Sequence, residues 1–276
     1  MDDDGDGGGQ PGRLLIIGGA EDRRSGTGLL ERFVELSGRT AARIVLVTTA
    51  TSTPDEVYAN YERVFRGFGA DRTIQLRLHG RFDADSDDAA KLLDDATGVF
   101  ISGGDQSRLR ALVGSRANDI LRERLSACDG LVVAGTSAGA TAMGRTMILG
   151  GEGPDVSASA VRTGPGLGLL PKVLIDMHFG ERGRLPRLLS AVALDPDHLG
   201  VGIDENTGIL VEGGGFEVLG SGVATVVDAE DATVIHPAGD EDPTTLFGVR
   251  LHLLPAGCIF DTATREAHIG PAHGRY

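Results

Sequence analysis

Read as hydrophobic and polar positions, the chain switches repeatedly between two patterns. Short, nearly continuous aliphatic runs occur at residues 14–17, 44–48, 74–78, 99–102 and 131–134. Apart from 74–78, which Gln75 and Arg77 interrupt, they lack the polar alternation of a half-exposed strand, as expected of parallel strands covered on both faces. Between them apolar residues recur at helical spacing. Leu29, Leu30, Phe33, Val34 and Leu36 form one stripe, and Val57, Tyr61, Val64, Phe65 and Phe68 a second. Thr53 and Pro54 announce the second as an N-cap followed by Pro at the first helical position. Leu109, Leu112, Val113, Ile120, Leu121 and Leu125 read as a third helix. This alternation over the first half predicts a doubly wound α/β fold with a mostly parallel sheet and flanking helices.

The second half is less regular. Residues 173–176 read as a strand, and Leu185, Leu188, Leu189 and Val192 as one helix face. From Gly200 onward come short strands at 201–204, 208–212, 216–219, 223–227 and 248–254, separated by Gly turns. They predict antiparallel strands continuing the edge of the same sheet. No composition break separates two units, so a single α/β domain over 13–276 is expected. Residues 1–12, MDDDGDGGGQPG, read as a disordered acidic tail and not as a signal peptide.

Composition narrows the function. With 41% hydrophobic residues the chain is too apolar to be disordered, and it has no apolar run near the roughly 20 residues of a membrane helix. The formal net charge of −14 excludes a nucleic-acid binder. Of the 26 Lys and Arg residues only Lys91 and Lys172 are lysines, which reads as GC-rich coding bias. Cys128 and Cys258 have no metal-binding or CxxC spacing and suit two buried thiols in a reducing cytoplasm.

The sharpest local signal is Gly135-Thr136-Ser137-Ala138-Gly139. It follows an apolar strand and precedes the small-residue helix Ala140-Thr141-Ala142-Met143. This is G-x-S-x-G in the strand–turn–helix setting of a nucleophile elbow, although any Gly-rich turn can hold a Ser. Ser137 then stands at the carboxyl end of the sheet, with the Ala138 N–H aimed where an oxyanion would form. Such a serine needs a base. Of seven histidines, His178 comes just after the strand 173–176, on the carboxyl-end side where the elbow opens, and is favoured over the others, which lie in loops, at strand ends or in the tail. The acid that would hold its tautomer comes from one of two clusters: Glu205, after the strand 201–203, is favoured over Glu152 or Asp155.

Two further features fit such a site. Gly103-Gly104-Asp105-Gln106 ends a strand and makes Gly104 the second oxyanion donor; the loop lacks the pattern of a phosphate cradle. Gly18-Gly19-Ala20-Glu21-Asp22 reads as a structural turn that can line the site. Arg184 and Arg187, three residues apart, share a helix face and suit a substrate carboxylate, or else are a solvated basic turn.

At these residues the chain resembles the cyanophycinase family of serine peptidases, which also holds α-aspartyl dipeptidase. The motifs are Gly18-Gly19-Ala20-Glu21-Asp22, Ser102-Gly103-Gly104-Asp105-Gln106, Ala134-Gly135-Thr136-Ser137-Ala138-Gly139-Ala140, Asp176-Met177-His178-Phe179, the run from Arg184 to Ala191, and Gly202-Ile203-Asp204-Glu205. The resemblance implies a class I glutamine amidotransferase-like fold, a Ser137–His178–Glu205 triad and no metal or organic cofactor. It implies a pocket lined by Gln106, Asp176, Arg184 and Arg187, with Asp176 available to a substrate guanidinium, and a homodimer. The implied substrate is cyanophycin, a polyaspartate backbone with Arg joined to each β-carboxylate, released as β-Asp-Arg dipeptides by a serine exopeptidase. Met177 departs from the family pattern, which has Gln there, so an α-aspartyl or isoaspartyl dipeptidase remains a rival. A non-catalytic binding module of the same fold is a third reading.

Overall fold

The computed structural model describes residues 12–23, 28–151, 153–235 and 242–271. The chain opens with β1 (Arg13–Ile17), followed by α1 (Leu29–Leu36), β2 (Arg43–Val47), α2 (Pro54–Gly67) and β3 (Arg72–Leu76). Then come α3 (Arg81–Ala84), α4 (Asp87–Asp95), β4 (Gly98–Ile101), α5 (Arg116–Ser126), β5 (Val132–Thr136) and α6 (Ala138–Thr141). Among the described residues, β1 to β5 form one side of a nine-stranded sheet, running β1-β5-β4-β2-β3 with every pair parallel. Alternation across each strand assigns the two faces. Leu15, Ile17, Ile44, Leu46 and Phe100 meet α1 and α2. Leu14, Ile16, Val45, Val47 and Ile101 meet α4 and α5. The doubly wound α/β expectation holds.

The second half departs from a simple edge extension. It contributes β6 (Thr146–Gly150), β7 (Arg162–Pro165), β8 (Val173–Met177), α7 (Leu185–Leu194), β9 (Leu199–Ile203), β10 (Thr207–Glu212), β11 (Gly215–Gly220) and β12 (Val223–Asp228). After these come β13 (Thr233–Ile235), β14 (Thr245–Phe247), β15 (Arg250–Pro255), β16 (Cys258–Asp261) and β17 (Glu266–Ile269). Only β10, β11, β16 and β17 extend the large sheet, antiparallel, from β1. Strands β8, β9, β12 and β15 form a separate four-stranded sheet. One face of it joins the apolar cluster of the large sheet through Ile175, Val201, Ile203 and Val226. Its other face takes Leu188, Ala191 and Val192 of α7. Strands β8 and β9 are buried throughout, so their apolar runs do not say which sheet they join, whereas β15 is an exposed edge.

Smaller differences have local causes. The expected helix from Leu109 to Leu125 breaks at Gly114, which is left-handed, and restarts after Ser115, whose hydroxyl accepts from the Asn118 amide at 3.2 Å. Thr53 precedes α2, but its side chain makes no capping bond. Cys128 and Cys258 are half-buried free thiols. The 1–11 segment of the expected tail lies outside the described residues. Among the described residues no helix is long and apolar enough to cross a membrane.

Candidate active site

Ser137 sits between β5 and α6 with φ 51° and ψ −112°, a conformation that side-chain-bearing residues seldom adopt. Two glycines permit the turn. A Cβ on Gly135 would stand 2.6 Å from the Gly139 carbonyl oxygen, and one on Gly139 would meet the Ile101 carbonyl. The Ser137 amide donates to the Ile17 carbonyl at 3.0 Å. Thr141, at the end of α6, donates its hydroxyl to the Ile175 carbonyl at 2.6 Å and so ties the turn to β8.

That tie brings the second sheet to the serine. His178 follows β8, and its Nε2 lies 2.9 Å from Ser137 Oγ. Its Nδ1 lies 2.7 Å from Glu205 Oε1, just past β9. The ring has one close neighbour that sequence reading treated as structural: a Cβ on Gly19 would come within 2.7 Å of Nε2. Gly19 (φ 107°) therefore lines the site. Ala20, Ser137, His178 and Asn206, all non-glycine residues with positive φ, converge here. The Gly18 carbonyl accepts from the His178 amide at 2.9 Å and the Gly19 carbonyl from Asn206 at 2.8 Å. Asp204 clamps the loop after His178, taking Gly180 N–H at 2.9 Å and Val223 N–H at 3.0 Å.

Of the competing acids, Glu205 is the one brought to His178. Asp155 lies exposed in the loop after β6, and Glu152 is outside the described residues. On the opposite side of Ser137, Gly103 packs closest: a Cβ there would be 3.3 Å from the serine Cβ. Gly104 (φ 145°) is exposed and abuts the Ala50 carbonyl, which leaves no room for a side chain. Ala138 is the first residue of α6. Gln106 donates its amide to the Ile148 and Leu149 carbonyls at 3.2 and 3.0 Å.

Asp176 differs from its expected place. It is fully buried, and its carboxylate is occupied by this chain's own cations. Arg187 grips it with two nitrogens, Nε standing 2.9 Å from Oδ2, and Arg184 approaches at 3.5 Å. Its task here is to seat the two arginines, and a substrate guanidinium would have to displace them. Arg184 also bonds the Met177 carbonyl and lies 3.4 Å from its sulfur. Arg187 reaches the Gly151 carbonyl at 3.2 Å. Both arginines line a cleft of about 480 Å³ with Gly151, Gly153 and Pro154.

Sequence reading passed over Glu21. Its carboxylate is buried behind the serine, taking the Thr136 hydroxyl at 2.6 Å and the Tyr61 hydroxyl on its other oxygen. Arg23 lies 3.8 Å from Glu21 and over the Tyr61 ring. Burial and the neighbouring Glu21 push the Tyr61 pKa well above 10, so the phenol stays a donor. The only signal in the sequence was an acid directly after a glycine turn.

Comparison with known proteins identifies the family. Residues 14–219 match the model of peptidase family S51. A cyanophycinase of Trichormus variabilis is 39% identical over 252 residues, 90% of this chain and 84% of the relative. One from Synechococcus elongatus is 37% identical over 94% of this chain and 81% of its own length, and one from Geminocystis herdmanii 34% over 93% and 96%. A crystal structure of a peptidase from an acI-B1 Actinobacterium superposes with a TM-score of 0.62 at 20% identity, covering 87% of this chain and 98% of that one; at that identity it supports the fold alone. The chain belongs to peptidase family S51 and is a peptidase.

Proposed function

We propose that the protein is a serine exopeptidase that hydrolyses cyanophycin to β-Asp-Arg dipeptides through Ser137, His178 and Glu205. The observation that carries this is the continuous contact from Ser137 Oγ to His178 Nε2 (2.9 Å) and from His178 Nδ1 to Glu205 Oε1 (2.7 Å). The cyanophycinase relatives supply the substrate class. His178 takes the serine proton as Oγ attacks the aspartyl carbonyl, and Glu205 holds the imidazole and stabilises its charged form. The Ala138 and Gly104 amides receive the oxyanion. His178 then protonates the leaving amine, and water, activated by the same imidazole, releases the product from the acyl-enzyme. In β-Asp-Arg each arginine is acylated at its amino group, so it keeps a free carboxylate. The Arg184 and Arg187 cleft suits that group, with Gln106 at its side.

A second reading, a dipeptidase for α-aspartyl or isoaspartyl peptides, is favoured by Met177. Its side chain is buried beneath Arg184 and offers sulfur where the family has an amide donor. Incubation with cyanophycin granules and mass identification of products separates the two. Soluble β-Asp-Arg, absent with Ser137→Ala, is expected. An untouched polymer together with cleavage of short Asp-X peptides would establish the dipeptidase. Failure of a serine-directed phosphonate to label Ser137 would leave only a binding module.

A further inference from the structure

The rim that carries Ser137 continues beyond it. Strands β5, β4, β2 and β3 run side by side and parallel, so their carboxyl ends open on one edge, where open α/β sheets bind their ligands. Past the Gly103–Gly104 loop, the ends of β2 and β3 border a cleft of about 320 Å³ lined by Arg77, Arg108, His79 and Thr49. Nothing in the proposed hydrolysis uses it.

Three observations give this cleft a chemistry. It holds two guanidinium groups, which can fork onto a carboxylate. Thr49 is 9% exposed, and its hydroxyl has no hydrogen-bond partner in the protein. A buried hydroxyl left unpaired is costly, and a ligand acceptor would relieve it. The cleft is also mechanically continuous with the nucleophile. Arg108 donates to the Thr51 carbonyl at 3.0 Å and Asp105 to the Ala50 carbonyl at 2.9 Å, while Gly103 of the same loop packs on Ser137. Gln106 anchors the other flank of that loop to β6, on the side of Arg184 and Arg187. The loop 103–108 thus separates two arginine-lined clefts. Acids border the cleft too: Asp55, 80% exposed at its side chain, pairs with Arg77, and Asp105, whose pKa is lowered by hydrogen bonds from Ser107 and by the Arg108 charge, lies on the same loop, so the guanidinium groups would hold a carboxylate through directed hydrogen bonds and not through a net positive charge.

We infer that the cleft at the ends of β2 and β3 is a second carboxylate subsite, which binds a free carboxylate of the same substrate chain remote from the scissile bond. This rests on the proposed cleavage of aspartyl peptides at Ser137. Contacts to a remote part of the substrate add affinity only for chains long enough to reach both clefts.

The test is binding by the full-length Ser137→Ala protein, titrated calorimetrically with an octa-aspartate peptide and with a di-aspartate peptide. Adding Arg77→Gln and Arg108→Gln together is expected to weaken octa-aspartate at least tenfold, and adding Thr49→Val alone to weaken it about threefold to fivefold. Di-aspartate affinity should stay the same throughout. Arg110→Gln, on the same loop but outside the cleft, should change neither. Unchanged octa-aspartate affinity, equal losses for both lengths, or the same loss from Arg110→Gln would overturn the subsite. Far-UV circular dichroism and the thermal midpoint confirm that each variant is folded. Hydrolysis is read separately with Ser137 intact: if no aspartyl peptide is cut but the length-selective loss appears, the subsite stands and the peptidase reading falls.

Discussion

The two halves of the site are held in place by different means. The serine half belongs to the parallel sheet and is set by backbone contacts. Gly135 meets Gly139, Gly139 meets Ile101, and Ser137 hangs from the Ile17 carbonyl. The histidine half belongs to the four-stranded sheet and is set by charged side chains. Asp204 clamps two strand ends, Glu181 takes the Glu205 amide at 3.1 Å, and Asp176 seats Arg184 and Arg187. The comparison teaches that the first half should fail when a single methyl group is added, and the second when a single charge is removed.

The largest effects lie where the halves meet. His178→Ala should lower turnover of an aspartyl peptide by roughly 10⁶, and Glu205→Gln by roughly 10⁴. Steady-state kinetics on a chromogenic aspartyl substrate measures both. A Glu205→Gln loss below about tenfold would make Glu205 a spectator and return attention to the 152–155 loop.

Next comes the charge side. Asp176→Asn keeps the shape but leaves Arg187, only 8% exposed, without its counter-charge. Breaking a buried pair in this way should cost about 3–5 kcal/mol, read from urea unfolding. A cost under about 1 kcal/mol would mean that Asp176 is not what seats the arginines.

The methyl side is tested by Gly19→Ala. Its Cβ would push the imidazole away from Ser137, and a misplacement of about 1 Å costs on the order of 10²-fold in rate. The loss should fall on kcat with KM nearly unchanged. Equal activity would show that the ring has room to move and that this half is not held as tightly as its contacts imply.

The same contrast explains what was legible in the sequence. The turn at Ser137 was legible because its parts are adjacent: strand, glycine, serine, glycine and helix fall within about ten residues. Strands β1, β2, β4 and β5 were legible because burial on both faces leaves a nearly unbroken apolar run, whereas β3, at the sheet edge, is partly exposed and alternates. Glu205 was only favoured, because its contact with His178 spans 27 positions and depends on β8 pairing with β9. The separate second sheet was hidden, since a strand buried on both faces reads the same in either sheet. The surroundings of Asp176 were hidden for a related reason. Spacing put Arg184 and Arg187 on one face, but only packing shows that the face points at the buried carboxylate.

The smallest effect probes Glu21, buried behind the serine. Glu21 takes hydrogen bonds from Thr136 and Tyr61, so Tyr61→Phe removes one donor and should cost about 1–2 kcal/mol at neutral pH. The pH dependence adds a second signature. Burial and Glu21 hold the Tyr61 pKa well above its ordinary value of 10.0. In the unfolded chain the phenol loses its proton near pH 10, while in the fold it keeps it. Above pH 10 the unfolded state therefore binds fewer protons than the folded one, and stability falls as pH rises toward the folded pKa. The contribution is fully present below pH 10. Thermal midpoints at pH 8 and pH 10.5 should show a steeper alkaline drop for the parent protein than for Tyr61→Phe. Equal drops would mean that Tyr61 does not give up its proton on unfolding, and that Glu21 is not held by a protonated phenol.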